Sequence, residues 1–103
     1  TELGPVLDAY RTGQPLVIED NRTDPRTAPL AALPEVASSG SRAVLDTPIL
    51  RGGRLVAVLV VNHPEPRQWT RDEIELARSV AERTRATVER AHAEAALRVS
   101  EAL

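Results

Sequence analysis

From Thr70 to Leu103, the last third of the chain, neither proline nor glycine occurs. A run of that length, opening "TRDEIELARSVAERT" and closing "ERAHAEAALRVSEAL", reads as one helix with no C-terminal stop signal. At 1.5 Å per residue it would reach about 50 Å, longer than a small domain can cover. Its start is marked by Thr70 at the N-cap and by Glu73 three residues on, which completes a capping box. Trp69 is placed to pack on Ile74 as a hydrophobic staple. Ile74, Ala77, Ala81, Thr84, Val88, Ala91 and Ala95 follow in alternating steps of three and four, the pattern of a heptad seam. Arg85–Glu89, Arg90–Glu94 and Glu94–Arg98 flank it at i,i+4, and Arg98 interrupts it. The first half is expected to cover a sheet, and the seam to pair with the same helix of a second subunit, giving a homodimer. The alternative is a solvated tail that frays, because each alanine buries little area.

The remaining residues must build a core without large side chains. At 103 residues the chain makes one small domain, and its 42% hydrophobic content excludes a disordered one. Trp69 and Tyr10 are its only aromatic residues, so the core rests on Val, Leu, Ile and Ala. The formal charge is −2, with all thirteen basic residues arginine and scattered among fifteen acids, which offers no phosphate-binding stripe and argues against a nucleic-acid partner. The absence of cysteine removes disulfides, thiolate catalysis and Cys-type zinc sites, and fits a reducing compartment. The longest apolar run, "LVAVLVV", is too short to span a bilayer, and no basic-then-apolar signal opens the chain. A cytoplasmic location with no membrane contact is expected.

Along the chain, "LGPVLDAYRT" places Leu3, Val6, Leu7 and Tyr10 on one helical face, with Gly13 as a C-terminal cap. "PLVIED" is a compact strand running into "NRTDPRTAP", where two prolines, Asn and Asp oppose regular structure. A second short helix fits "LAALPEVAS", limited by Pro34, and "SSGS" is a flexible connection. "RAVLDTPIL" and "LVAVLVVNH" are β-rich runs joined through Gly52-Gly53, which predicts an antiparallel hairpin with Pro48 at an edge or a bulge.

The succession "YRTGQPLVIEDNRTDPR", then "RAVLDTPILRGGRLVAVLVVNHPEPRQWTRDEIELARSVAERT", resembles the C-terminal part of a GAF domain, the sensing module of bacterial sensor histidine kinases and phytochromes. "VERAHAEAALRVSEAL" is similar to the linker helix that joins such modules to a following one. The resemblance implies an α+β fold of the GAF/PAS type: an antiparallel sheet flanked by helices, a ligand pocket on one face and a long C-terminal helix. Residues 1–87 would be a partial sensor domain and 88–103 a signalling helix. The helix and two strands with which complete family members begin are not in the chain, so it is expected to be a fragment or to have its sheet completed by a neighbour. Asn62 stands where the bilin-binding branch has the first of two histidines, Leu16 where it has an arginine, and there is no cysteine for a chromophore, so no cofactor is expected. The function implied is a regulatory, non-catalytic domain of a bacterial two-component sensor histidine kinase. A structural dimerisation module without a ligand is the alternative.

Strand alternation offers Val56, Val58, Val60 and Asn62 as a pocket-lining set, to which Ile18 and His63 are added as candidate ligand contacts. Leu55, Ala57, Leu59 and Val61 would then pack under the last helix, where Ala57 leaves room. His63 suits a pocket ligand or proton carrier, and equally a hydrogen-bonding histidine at a strand end. His92 lacks the residues that follow a phosphorylated kinase histidine and reads as a solvated side chain beside the seam. Glu19, Asp20 and Asp24 lack the spacing of a calcium loop, and turn formation accounts for them, so no metal is expected. The triplet Asn21-Arg22-Thr23 matches a glycosylation site by accident, and "SSGSR" lacks the context of a nucleophile elbow or a phosphate loop. No carboxylate pair or nucleophile with a base stands out, so catalytic residues are expected to be absent.

Overall fold

Gly52 and Gly53 adopt φ of 56° and 77°, the two left-handed conformations that close a two-residue hairpin. The sheet is organised by that turn. The computed structural model describes residues 4–102, with side chains through residue 96; Leu3 and Leu103, assigned above to helices, lie outside the described residues. The elements run α1 (Gly4–Arg11), β1 (Leu16–Ile18), α2 (Ala28–Ala31), α3 (Pro34–Ala37), β2 (Ala43–Arg51), β3 (Arg54–His63) and α4 (Arg71–Ala102). The strands form one antiparallel sheet in the order β1-β2-β3, which makes this an α+β fold with a long C-terminal helix.

Register decides which side chains share a face. Leu16 and Ile18 pair with Asp46 and Val44, which in turn pair with Val60 and Asn62. With Val58 these residues form one face, and Ala43, Leu45, Thr47, Ile49, Ala57, Leu59 and Val61 form the other. The first face carries a cluster of Val6, Leu16 and Ile18, against which Ala9, Tyr10, Leu30 and Val44 pack. The second is covered by α4, whose Ala77 and Ala81 are buried at 6% and 5% exposure. Alanine at these two positions lets the helix backbone approach the sheet closely, so a core without large aromatics still closes. Of the set expected under the last helix, Ala57, Leu59 and Val61 do take the α4 face of the hairpin, whereas Leu55 pairs with Leu50 beyond the register shift; α4 packs mainly on β2, so Ala57 and Val61 stay exposed.

Prolines start the short helices instead of merely opposing them. Pro29 and Pro34 stand in the first turns of α2 and α3, where no N–H is needed. Leu33, held extended at ψ 137° by the proline that follows, splits what the sequence offered as one helix into two. Pro48 lies in the central strand opposite Val58, beyond the last β1 partner at Asp46, and the register shift follows directly at Ile49/Leu50.

Candidate functional site

Between the first sheet face and α1–α3 lies a cavity of about 150 Å³. Its walls are apolar, from Val6, Leu16, Ile18, Leu30, Val36 and Val44, with Tyr10, Asn21, Thr27 and Asp46 as the polar members. The cover is thin, since neither α2 nor α3 has a buried residue.

The loop before α2 holds that cover in place. Asn21 is buried; its Nδ2 donates to the Ser41 carbonyl at 2.8 Å, its backbone N–H donates to the Arg42 carbonyl at 2.7 Å, and its own carbonyl accepts from the Thr27 hydroxyl at 2.9 Å. An asparagine so engaged is a clamp and not a glycosylation acceptor. Asp20 and Asp24 accept from the backbone N–H two residues on, at 3.1 and 2.9 Å, which makes each an Asx turn. Their carboxylates are held by Arg42 and Arg26, each at 2.7 Å, and those hydrogen bonds keep both acids below the ordinary carboxylate range.

Asp46 is the unusual group. It is 6% exposed, in the middle of a strand whose other polar residues are Thr47 beside it and Arg51 at its end. The Tyr10 hydroxyl donates to its Oδ2 at 2.5 Å, while its Oδ1 is buried with no hydrogen-bond partner. Burial raises the carboxyl above its ordinary value against the opposing effect of the Tyr10 bond. Burial also pushes the Tyr10 phenol well above its usual range, helped by the hydrogen bond to Asp46 and by its charge. Sequence reasoning passed over this pair. The signal available was a lone acid inside "AVLDTPIL".

The wall of the cavity is tied to the start of α4. Trp69 Nε1 donates to the carbonyl of Ile18 at 3.1 Å, and the Arg67 N–H donates to the carbonyl of Glu19 at 3.0 Å. The Arg67 guanidinium lies 4.6 Å from the centre of the Trp69 ring and grips both oxygens of Glu73 at 2.7 Å. Glu73 in turn accepts from the Thr70 N–H at 2.9 Å, and the Thr70 hydroxyl accepts from the Glu73 N–H at 3.1 Å, closing the capping box. Trp69 therefore works through its indole N–H to β1.

The six candidate ligand contacts are not brought into one pocket. Ile18 lines the cavity. Val58, Val60 and Asn62 share its sheet face further out, with Val60 half exposed on the edge strand. Val56 falls at the register shift and borders instead a cleft of about 300 Å³ between the hairpin end and α4, facing Thr84, Val88 and His92. His63 pairs with Ala43, on the opposite face, and its Nδ1 accepts from the Glu65 N–H at 3.2 Å. His92 accepts at Nδ1 from Arg51 at 2.9 Å, joining α4 to the hairpin. Of the seam residues, Ala77 and Ala81 pack on the chain's own sheet, Thr84 and Val88 border the cleft, and Ala91 and Ala95 are exposed. A third depression, of about 320 Å³, is an open groove walled by Arg78 and Arg85, the latter already paired with Glu82 and with Glu89 at 2.7 Å. Among the described residues no group of three His, Cys, Asp or Glu could hold a metal.

The family model described as "GAF domain" matches residues 1–88. No curated protein matches the chain in sequence. The chain is similar to the blue-light absorbing form of the Thermosynechococcus elongatus PixJ GAF domain, with a TM-score of 0.76 and 26% identity over 90% of this chain and 55% of that one. It is similar to a GAF domain from Synechocystis sp. PCC6803 in its photoproduct state, with a TM-score of 0.73 and 27% identity over 85% of this chain and 55% of that one. A domain of a protein described as a two-component sensor histidine kinase from Sinorhizobium meliloti 1021 shares the fold at a TM-score of 0.69 and 21% identity, over 82% of this chain and 57% of that one. The chain thus spans little more than half the length of these structures.

Proposed function

The chain belongs to the GAF domain family, and from that premise we propose that it is a non-catalytic sensor element of a two-component histidine kinase, in which a small molecule in the cavity under α1–α3 repositions α4. The observation that carries this reading is the joint between β1 and α4. Leu16 and Ile18 face the cavity, and the carbonyl of Ile18 accepts the only hydrogen bond that the Trp69 side chain can donate. Whatever displaces β1 by a few tenths of an ångström displaces the capping box and with it the first turn of α4. A helix of 32 residues, about 48 Å long, carries that displacement away from the sheet. Two copies would pair along Val88, Ala91 and Ala95, which the sheet leaves exposed. The kinase parentage rests on the sequence resemblance alone, and a ligand acts only through its unequal affinity for two positions of the helix.

The test is a fusion of the chain, in helical register through α4, to the output module of a histidine kinase. Val44→Phe, which fills the cavity from its floor, is expected to change the autophosphorylation rate, and Trp69→Phe to abolish that dependence. A folded fusion whose rate ignores Val44→Phe would refute the reading and leave a structural dimerisation module as the function.

A further inference from the structure

Asp46, which lines the cavity, has one oxygen that no described residue answers. Asp46 Oδ1 is buried without a partner, and the neighbours that could supply a donor are committed elsewhere. The Tyr10 hydroxyl donates to Oδ2, the Asn21 amide donates to Ser41 and the Thr27 hydroxyl donates to the Asn21 carbonyl. A buried carboxylate oxygen left unpaired is costly, and the deficit is one of positive charge and of N–H donors. Around it the walls are aliphatic, and the space of about 150 Å³ holds roughly five water-sized groups at about 30 Å³ each. We propose that this cavity binds a small organic cation, an ammonium or guanidinium on a short apolar stem, with Asp46 Oδ1 accepting from its N–H and the stem lying against Leu16, Ile18 and Val44. The proposal rests on the reading of this cavity as the sensory pocket, and it names the class of molecule sensed.

The binding step is non-covalent and needs no other reactant. Propylammonium and methylguanidinium carry the required head on a stem that the cavity can hold, and propanol and N-methylurea are their neutral counterparts. The experiment is a titration of the full ¹⁵N-labelled chain with each of the four, following the amides of residues 16–18, 44–46 and 71–96. Both cations are expected to shift the residues of β1 and β2, with at least about tenfold higher affinity than the neutral probes, the difference between a charge-assisted hydrogen bond and a neutral one. Asp46→Asn should lower cation affinity to that of the neutral probes. Tyr10→Phe keeps the carboxylate, and is expected to hold cations as tightly as the unsubstituted chain or more tightly; it serves if Asp46→Asn fails to fold. Equal binding of neutral probes and cations, undiminished cation binding by Asp46→Asn, a tenfold loss in Tyr10→Phe, or silence of residues 16–18 and 44–46 toward both cations would each overturn the assignment. Cation binding that leaves residues 71–96 unmoved would uphold the site and sink the sensory reading, whereas neutral probes that move α4 would do the reverse.

Discussion

At the scale of single residues, the Tyr10–Asp46 pair dominates, because it spends the only phenol of the molecule, half-buried on α1, on half of a buried carboxylate. Tyr10→Phe removes the donor and leaves the acid without a protein partner, so a loss of about 1–3 kcal/mol is expected in urea unfolding at neutral pH. The acid also gives stability a pH dependence whose sign is set by burial. Its folded value lies above the unfolded value of 3.8, so the folded state holds the proton more tightly. That contribution is fully present below the unfolded value and is lost as pH rises through the folded one. Urea midpoints of the unsubstituted chain, relative to those of Asp46→Asn, are therefore expected to fall from pH 3 towards neutrality. A difference that rose with pH would mean that the Tyr10 bond outweighs burial. Neither residue could be assigned from the sequence. Tyr10 was placed correctly on a helical face, but its partner lies 36 residues away, and only the register Leu16↔Asp46 brings the acid under α1.

At the scale of elements, local rules decided most of the outcome. The hairpin was legible because Gly52-Gly53 can take positive φ at both positions, and it does. Gly53→Val would force a β-branched residue to φ 77° and is expected to cost about 1–2 kcal/mol, read as a lower thermal midpoint with unchanged strand content. The start of α4 was legible for a similar reason, since capping chemistry is confined to four consecutive residues. Thr70→Ala should cost about 1 kcal/mol and fray the first turn, visible as faster amide exchange at residues 71–74. The Thr70 N–H and then Arg67 hold Glu73 below its ordinary range, so its share of the cap is present above that range and lost as pH falls through the lowered value. The division between α2 and α3 was less legible. Pro34 warned of a limit, but it had to be the first residue of its own helix before Leu33 could be seen as the break. The pocket wall was legible only in parity. Val58, Val60 and Asn62 do share a face with Ile18, yet α1–α3 enclose the part of that face nearer β1, and nothing in the spacing of a strand says how far the covering helices reach.

At the scale of the whole molecule, the principal extents of 54 × 32 × 24 Å describe a small body with a long projecting arm. Residues 90–96 of that arm are exposed throughout, and Val88 is 42% exposed where α4 runs past the end of the hairpin. Light scattering over a dilution series is expected to give a dimer, which Val88→Arg dissociates while the circular dichroism of the sheet is preserved. A chain that remains monomeric at every concentration would remove the paired-helix part of the mechanism and leave the joint between β1 and α4 intact. The heptad pattern alone could not separate these roles, because Ala77 and Ala81 satisfy the same spacing by packing on the chain's own sheet. That joint has one further consequence. Trp69 is the only tryptophan in the sequence, and its indole sits between the strand that lines the cavity and the helix that leaves it. Tryptophan fluorescence from this protein therefore reports on that single joint, so the molecule carries its own optical gauge of the movement it would transmit, with no label required.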